Sequence, residues 1–133
     1  MTAQNVAALA GRILLAVLFV FSGIEKVADP AGTIGYMKSA GMPFPQFFLV
    51  ASIVLELGAS AMLIVGWKAR WAAWALFLFM IPLTVIFHNP LISDPSVVQM
   101  QVIHLMKNLA IMGGLLVAAA FGPGTWSLDK RAT

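Results

Sequence analysis

Cysteine is missing from all 133 residues, which removes disulfides, thiolate nucleophiles and iron–sulfur ligation from this chain's chemistry. Charge is scarce as well. Asp, Glu, Lys and Arg together make up 10% of the sequence, against about 25% in an ordinary soluble domain. There are five carboxylates and two histidines, so any acid–base chemistry rests on a handful of identifiable groups. No basic run exists: the eight Lys and Arg residues behind the net charge of +3 are scattered along the chain, which excludes the stripe of cations that a nucleic-acid partner requires. Apolar residues, by contrast, make up 61% and the mean hydropathy is +0.94. A small domain hides only about two-thirds of its unfolded surface, and disordered chains are poor in apolar residues. The composition therefore predicts a single integral membrane domain over residues 1–133, with the lipid bilayer as its solvent.

Crossing the hydrocarbon takes roughly 20 apolar residues in a helix. Four stretches qualify, at about 6–27, 46–66, 70–88 and 98–121. The second is bracketed by Pro43 and Pro45 before it and Gly66 at its end, the third closes at His88-Asn89-Pro90, and the fourth closes at Gly122-Pro123-Gly124. Backbone groups in lipid must be satisfied internally, and no alternating ten-residue pattern suggests a barrel, so the expected fold is an all-α bundle of four transmembrane helices. The first span lacks a preceding Lys or Arg and a small-x-small cleavage site, which favours a retained helix over a cleaved signal. The segment from Asp29 to Pro45 contains three glycines and three prolines but also Ile34, Tyr36, Met37, Met42 and Phe44. It is too apolar for a solvated linker and predicts a short interfacial or re-entrant helix.

Arg12, Lys68, Arg70, Lys130 and Arg131 fall on one side of this arrangement. Lys26, Lys38 and Lys107 fall on the other, where Glu25, Asp29 and Asp94 offset them. The positive-inside rule then puts both termini in the cytoplasm. All four tryptophans, Trp67, Trp71, Trp74 and Trp126, lie on the same side, where they form an interfacial belt.

Each polar residue within the spans is costly and hence a functional candidate. At 1.5 Å per residue Glu56 sits about 15 Å from either end of its helix, with Asn108 and His104 about 15 and 9 Å into theirs. Arg12, Phe19, Gly23 and Lys26 share one stripe, Ser52, Glu56, Ala59 and Ser60 a second, and Gln101, His104 and Asn108 a third with Lys107 on its flank. The economical arrangement turns all three stripes into the bundle, leaving the third span facing lipid. Arg12, about 6 Å from Glu56 in depth, is then the carboxylate's ion-pair partner, while Lys26 snorkels or pairs at the surface. His104, deep and beside Asn108, changes charge near neutral pH, although a packing histidine explains it as well. Glu56 and His104 are thus the catalytic candidates, and Arg12, Lys26, Lys107 and Asn108 the substrate-binding ones. No metal site is expected, since His88, His104 and Glu56 lack ligand spacing. A haem held by His88 and His104 is disfavoured because His88 lies near the surface.

The opening GRILLAVLFVFSGIEKVADP, with Arg12, Gly23 and Lys26, resembles the first helix of the DoxX family of small bacterial membrane proteins. The similarity runs on through Ala40-Gly41-Met42-Pro43, the helix carrying Glu56 followed by Gly66, and the last helix from His104 through Lys107 and Asn108 to Gly114. The resemblance implies a four-span inner-membrane protein linked to a membrane thiosulfate:quinone oxidoreductase or to redox-defence complexes. The missing cysteine argues against a thiol relay here.

The leading functional expectation is a subunit that binds a quinone or another small molecule in a membrane redox assembly, with a protein partner or a second copy, and at most a non-catalytic part of an oxidoreductase. His104, Asn108 and Lys26 would donate to the quinone head, Glu56 would exchange the proton, and Phe and Met side chains would line the tail slot. The alternatives are a small oligomeric channel or transporter and a structural assembly subunit without its own chemistry.

Overall fold

The computed structural model describes residues 2–89, 91 and 94–129. Five α-helices follow one another: α1 (Ala3–Ala28), α2 (Pro30–Ser39), α3 (Pro45–Val65), α4 (Ala69–Phe87) and α5 (Val98–Phe121), the last entered through a 3-10 turn at Pro95–Val97. Four of them, α1, α3, α4 and α5 with its preceding turn, are long and apolar enough to cross a bilayer, and their ends fall within three residues of the expected spans. The short apolar segment between the first two spans forms α2. Asp29 starts it, its Oδ1 accepting the Gly32 backbone N–H at 3.0 Å, with Pro30 preset for the first helical position. Pro90, Lys130 and Arg131, which entered the reading of the α4 terminus and of orientation, lie outside the described residues.

Large apolar side chains such as Leu14, Phe21, Val54, Leu78 and Phe121 stand exposed. Such a surface requires hydrocarbon around it, and the chain is a lipid-embedded bundle. Inside, small residues dominate: Ala16, Ala59, Ala69, Ala72, Ala73 and Ala119 pack with Phe19, Leu63, Leu76, Met80 and Leu115. In a membrane, where lipid is as apolar as leucine, such close backbone approach supplies the dispersion that holds helices together. The third span leaves most of its residues outside the core, as expected, but it also has an inward face. As α4 it buries Ala69, Ala72, Ala73, Leu76, Met80 and Thr84, a stripe at helical spacing whose alanines let α3 and α5 come close. Its uniformly apolar sequence has no polar face to reveal which side turns inward.

The start of α1, the segment up to Asp129 and the α3–α4 turn share one end of the bundle, together with the four exposed tryptophans. Gly66 ends α3 with φ +72°, and its amide bonds Met62 O at 2.9 Å. A methyl group there would collide with Ser127 Cβ and Arg12 Nη1. Gly66→Ala is therefore expected to destabilise the bundle by about 2–4 kcal/mol, combining left-handed strain with overpacking. Gly58→Ala, which meets nothing within 4 Å, should be neutral or gain up to about 1 kcal/mol. Unfolding midpoints in mixed micelles of a mild detergent and dodecyl sulfate would show the contrast. At the opposite end Asp94 accepts both the amide and the hydroxyl of Ser96 at 2.9 Å. These bonds hold its carboxyl below the usual aspartate value, the amide contributing most.

Candidate functional site

α1 and α3 form the tightest helix pair, and Gly23 is the reason: a Cβ there would lie 2.7 Å from Leu57 Cδ2. One turn further along α1, the Lys26 ammonium crosses this contact. It donates to Glu56 Oε1 at 2.9 Å and to Ser22 Oγ at 2.8 Å. Glu56 is 1% exposed and the Lys26 side chain 15%. An ammonium carries three protons, so one N–H of Lys26 remains for another acceptor. Glu56 Oε2 and Ser60 Oγ, a turn apart on α3, are buried with no hydrogen-bond partner among the described residues.

Above this pair, α1, α2, α3 and α4 enclose a cleft of about 1070 Å³ at the end of the bundle away from the termini. Ser22, Glu25, Lys26, Asp29, Ser52 and His88 give it a polar side, and Met37, Met42, Phe48, Phe79, Leu83 and Phe87 an apolar one. Tyr36 of α2 stacks on Phe87 of α4, centroids 5.0 Å apart and planes 20° apart, which ties the short helix over the cleft. Pro82, inside α4, lines it too. Lacking an N–H, this proline leaves the Leu78 carbonyl without its helical donor.

At the ends of α4 and α5 away from the termini, His88 and His104 lie in ring contact, 4.8 Å between centroids, which leaves no room for a porphyrin plane between them. Gln101 Nε2 donates to Phe87 O at 3.0 Å, so its Oε1, 3.0 Å from His88 Nδ1, is the acceptor. In the neutral ring Nδ1 of His88 therefore carries the proton, which leaves Nε2 as the acceptor. Deeper, the Asn108 amide donates to Thr84 Oγ1 at 3.1 Å, both buried. Among the described residues no three His, Asp or Glu side chains gather closely enough for a metal ion.

Arg12 lies at the other end. Its Nη1 donates to Leu63 O at 3.1 Å and Ile64 O at 3.3 Å, and Nη2 to Trp126 O. It caps the carboxyl terminus of α3, where a cation meets the negative end of the helix dipole. Asp129 does the reverse for α4, accepting the Lys68 and Ala69 amides at 2.7 and 2.8 Å.

The polar stripes therefore do not converge on one chamber. The partner of Glu56 is Lys26 rather than Arg12, because Arg12 finds free carbonyls at the end of α3 while Lys26 reaches inward along α1 instead of snorkelling out. Lys26 is the one proposed binding residue that lines the cleft; Glu56 lies behind it, and His104, Asn108 and Arg12 are elsewhere. Lys107 is exposed on α5. Sequence reasoning used Tyr36 only as a mark of an apolar loop and gave it no place at the site, though it is the chain's lone tyrosine. It also missed Asp129, for which no local pattern gives a signal.

The fold and this ion-paired helix couple define a small four-span membrane protein. The family model for DoxX matches residues 7–89, and the chain belongs to the DoxX family. It is 33% identical over 127 residues to inner membrane protein YqjF of Escherichia coli (strain K12), covering 96% of this chain and 92% of that protein. Identity to inner membrane protein YphA of the same organism is 31% over 129 residues, covering 97% and 92%. Identity to the uncharacterized membrane protein Rv3486 of Mycobacterium tuberculosis (strain H37Rv) is 27% over 127 residues, covering 90% and 77%. No solved structure matches the chain. With four apolar spans and relatives named for the inner membrane, this is a multi-pass inner-membrane protein.

Proposed function

We propose that the chain is a quinone-binding subunit of a membrane redox assembly, with both termini cytoplasmic and the cleft opening toward the outer face. The observation that carries this reading is the cleft's division into an aromatic and methionine-rich wall and a polar floor on which Lys26 keeps one N–H uncommitted. A quinone carbonyl needs such a donor and its isoprenoid tail needs such a wall. Glu56, in direct contact with Lys26, is placed to take up or return the proton that reduction requires. In place of His104 and Asn108, His88 lines the cleft, and its Nε2 accepts from the hydroxyl of the reduced quinol instead of donating to the quinone. Nothing in the chain carries electrons by itself, so the redox partner is another subunit. A structural assembly subunit is the competing reading.

Decylubiquinone added to the purified protein is expected to raise its melting temperature by several degrees. Leu83→Trp, which puts an indole into the apolar wall of the cleft, should reduce the protection, and His88→Ala should weaken binding of the reduced quinol about tenfold. If wild type gains no protection, or Leu83→Trp is protected equally, the quinone reading falls and the structural one takes its place.

A further inference from the structure

The cleft also carries a charge preference. Three carboxylates, Glu25 and Asp29 lining it and Glu56 behind, stand against the single ammonium of Lys26, which Glu56 already neutralises. The other described cations at this end, Lys38 and Lys107, do not line it. The neutral ring of His88 presents Nε2 as an acceptor, because Gln101 accepts from Nδ1. The remaining wall is aromatic, with the Tyr36–Phe87 stack flanked by Phe48 and Phe79. Aromatic faces attract cations, and the exposed carboxylates of Glu25 and Asp29 at the mouth, the latter also capping α2, raise the local concentration of positive charge. We infer that the cleft selects by charge: it takes lipophilic aromatic monocations as well as neutral amphiphiles, and rejects lipophilic anions of the same size and shape. This rests on the cleft being a binding site, as proposed above, and adds a substrate class to it.

Tetraphenylphosphonium and tetraphenylborate test the inference, being nearly isosteric ions of opposite sign. Titration calorimetry of the intact protein in dodecylmaltoside is expected to show saturable binding of the phosphonium, at least tenfold tighter than that of the borate. Adding salt should narrow the gap. The double variant Glu25→Gln/Asp29→Asn removes both mouth charges, and the asparagine still caps α2; its preference for the phosphonium should drop about tenfold or more. Partition into detergent is common to both proteins and cancels in that comparison. Equal binding of the two ions, or an unchanged preference in the double variant, overturns the inference. If decylubiquinone still protects in either case, the quinone reading stands and charge selection alone is lost. If neither the phosphonium nor decylubiquinone binds, both readings fail.

Discussion

Lys26→Met is expected to cost about 3–5 kcal/mol, the range for removing one member of a buried ion pair. The loss does not come from the missing attraction alone. Glu56 is 1% exposed, with one oxygen already unbonded, so without Lys26 its negative charge sits near the middle of the hydrocarbon with only water or a proton to neutralise it. Glu56→Gln should cost clearly less, because Lys26 lies nearer the membrane surface and its flexible stem can carry the ammonium outward. The double variant Lys26→Met/Glu56→Leu should recover most of what the lysine variant lost, since two apolar groups in lipid leave nothing to compensate. Reversible unfolding in mixed micelles measures all three. A cost under about 1 kcal/mol for Lys26→Met, as for a solvated surface pair, would contradict this account of the α1–α3 contact.

Arg12→Ala should be comparably damaging, at about 3–5 kcal/mol, for a different reason. The guanidinium holds Leu63 O, Ile64 O and Trp126 O simultaneously, and its loss leaves buried carbonyls that cost about 1–3 kcal/mol each if nothing replaces the donor. Arg12→Lys is expected to restore less than half, since a compact ammonium cannot fork across two helix-end carbonyls and a tail carbonyl at once. The second readout is local. With its anchor gone, the segment carrying Trp126 and Asp129 should lift from the α3–α4 turn, and trypsin should cut faster at Lys68 or Arg70. Unchanged cleavage in Arg12→Ala would show that the tail is held without it.

The spans were legible because a bilayer demands uninterrupted apolar runs of fixed length, and because Gly66 and the Pro43–Pro45 pair punctuate them. The α2 helix was legible from apolar side chains where a linker should be polar. The inward stripes of α1 and α3 were also readable: Arg12, Phe19 and Gly23, and Ser52, Glu56, Ala59 and Ser60, are all buried. What failed was the pairing between stripes. Counting 1.5 Å per residue gives depth along one helix, but it ignores tilt and the reach of a lysine side chain, so it put Arg12 rather than Lys26 beside Glu56. His104 was misplaced similarly: its position along α5 was right, but its ring turns to His88, a neighbour that only the α4–α5 crossing reveals. In α4 the reading had no contrast to use, since apolar residues surround the helix. Asp129 and Trp126 act across more than sixty residues of sequence, and no local spacing encodes such contacts.

The clasp at the terminal end of the bundle bears on how the protein is made. Arg12 belongs to α1, which is synthesised before the other four helices, and Trp126 follows α5. A nascent chain halted after α4 has its first arginine anchored only to the end of α3, and the amino terminus of α4 still lacks its carboxylate. Insertion of α5 thus brings a fastener as well as the fourth wall, because the bonds from Arg12 to Trp126 and from Asp129 to the start of α4 close only after it is made.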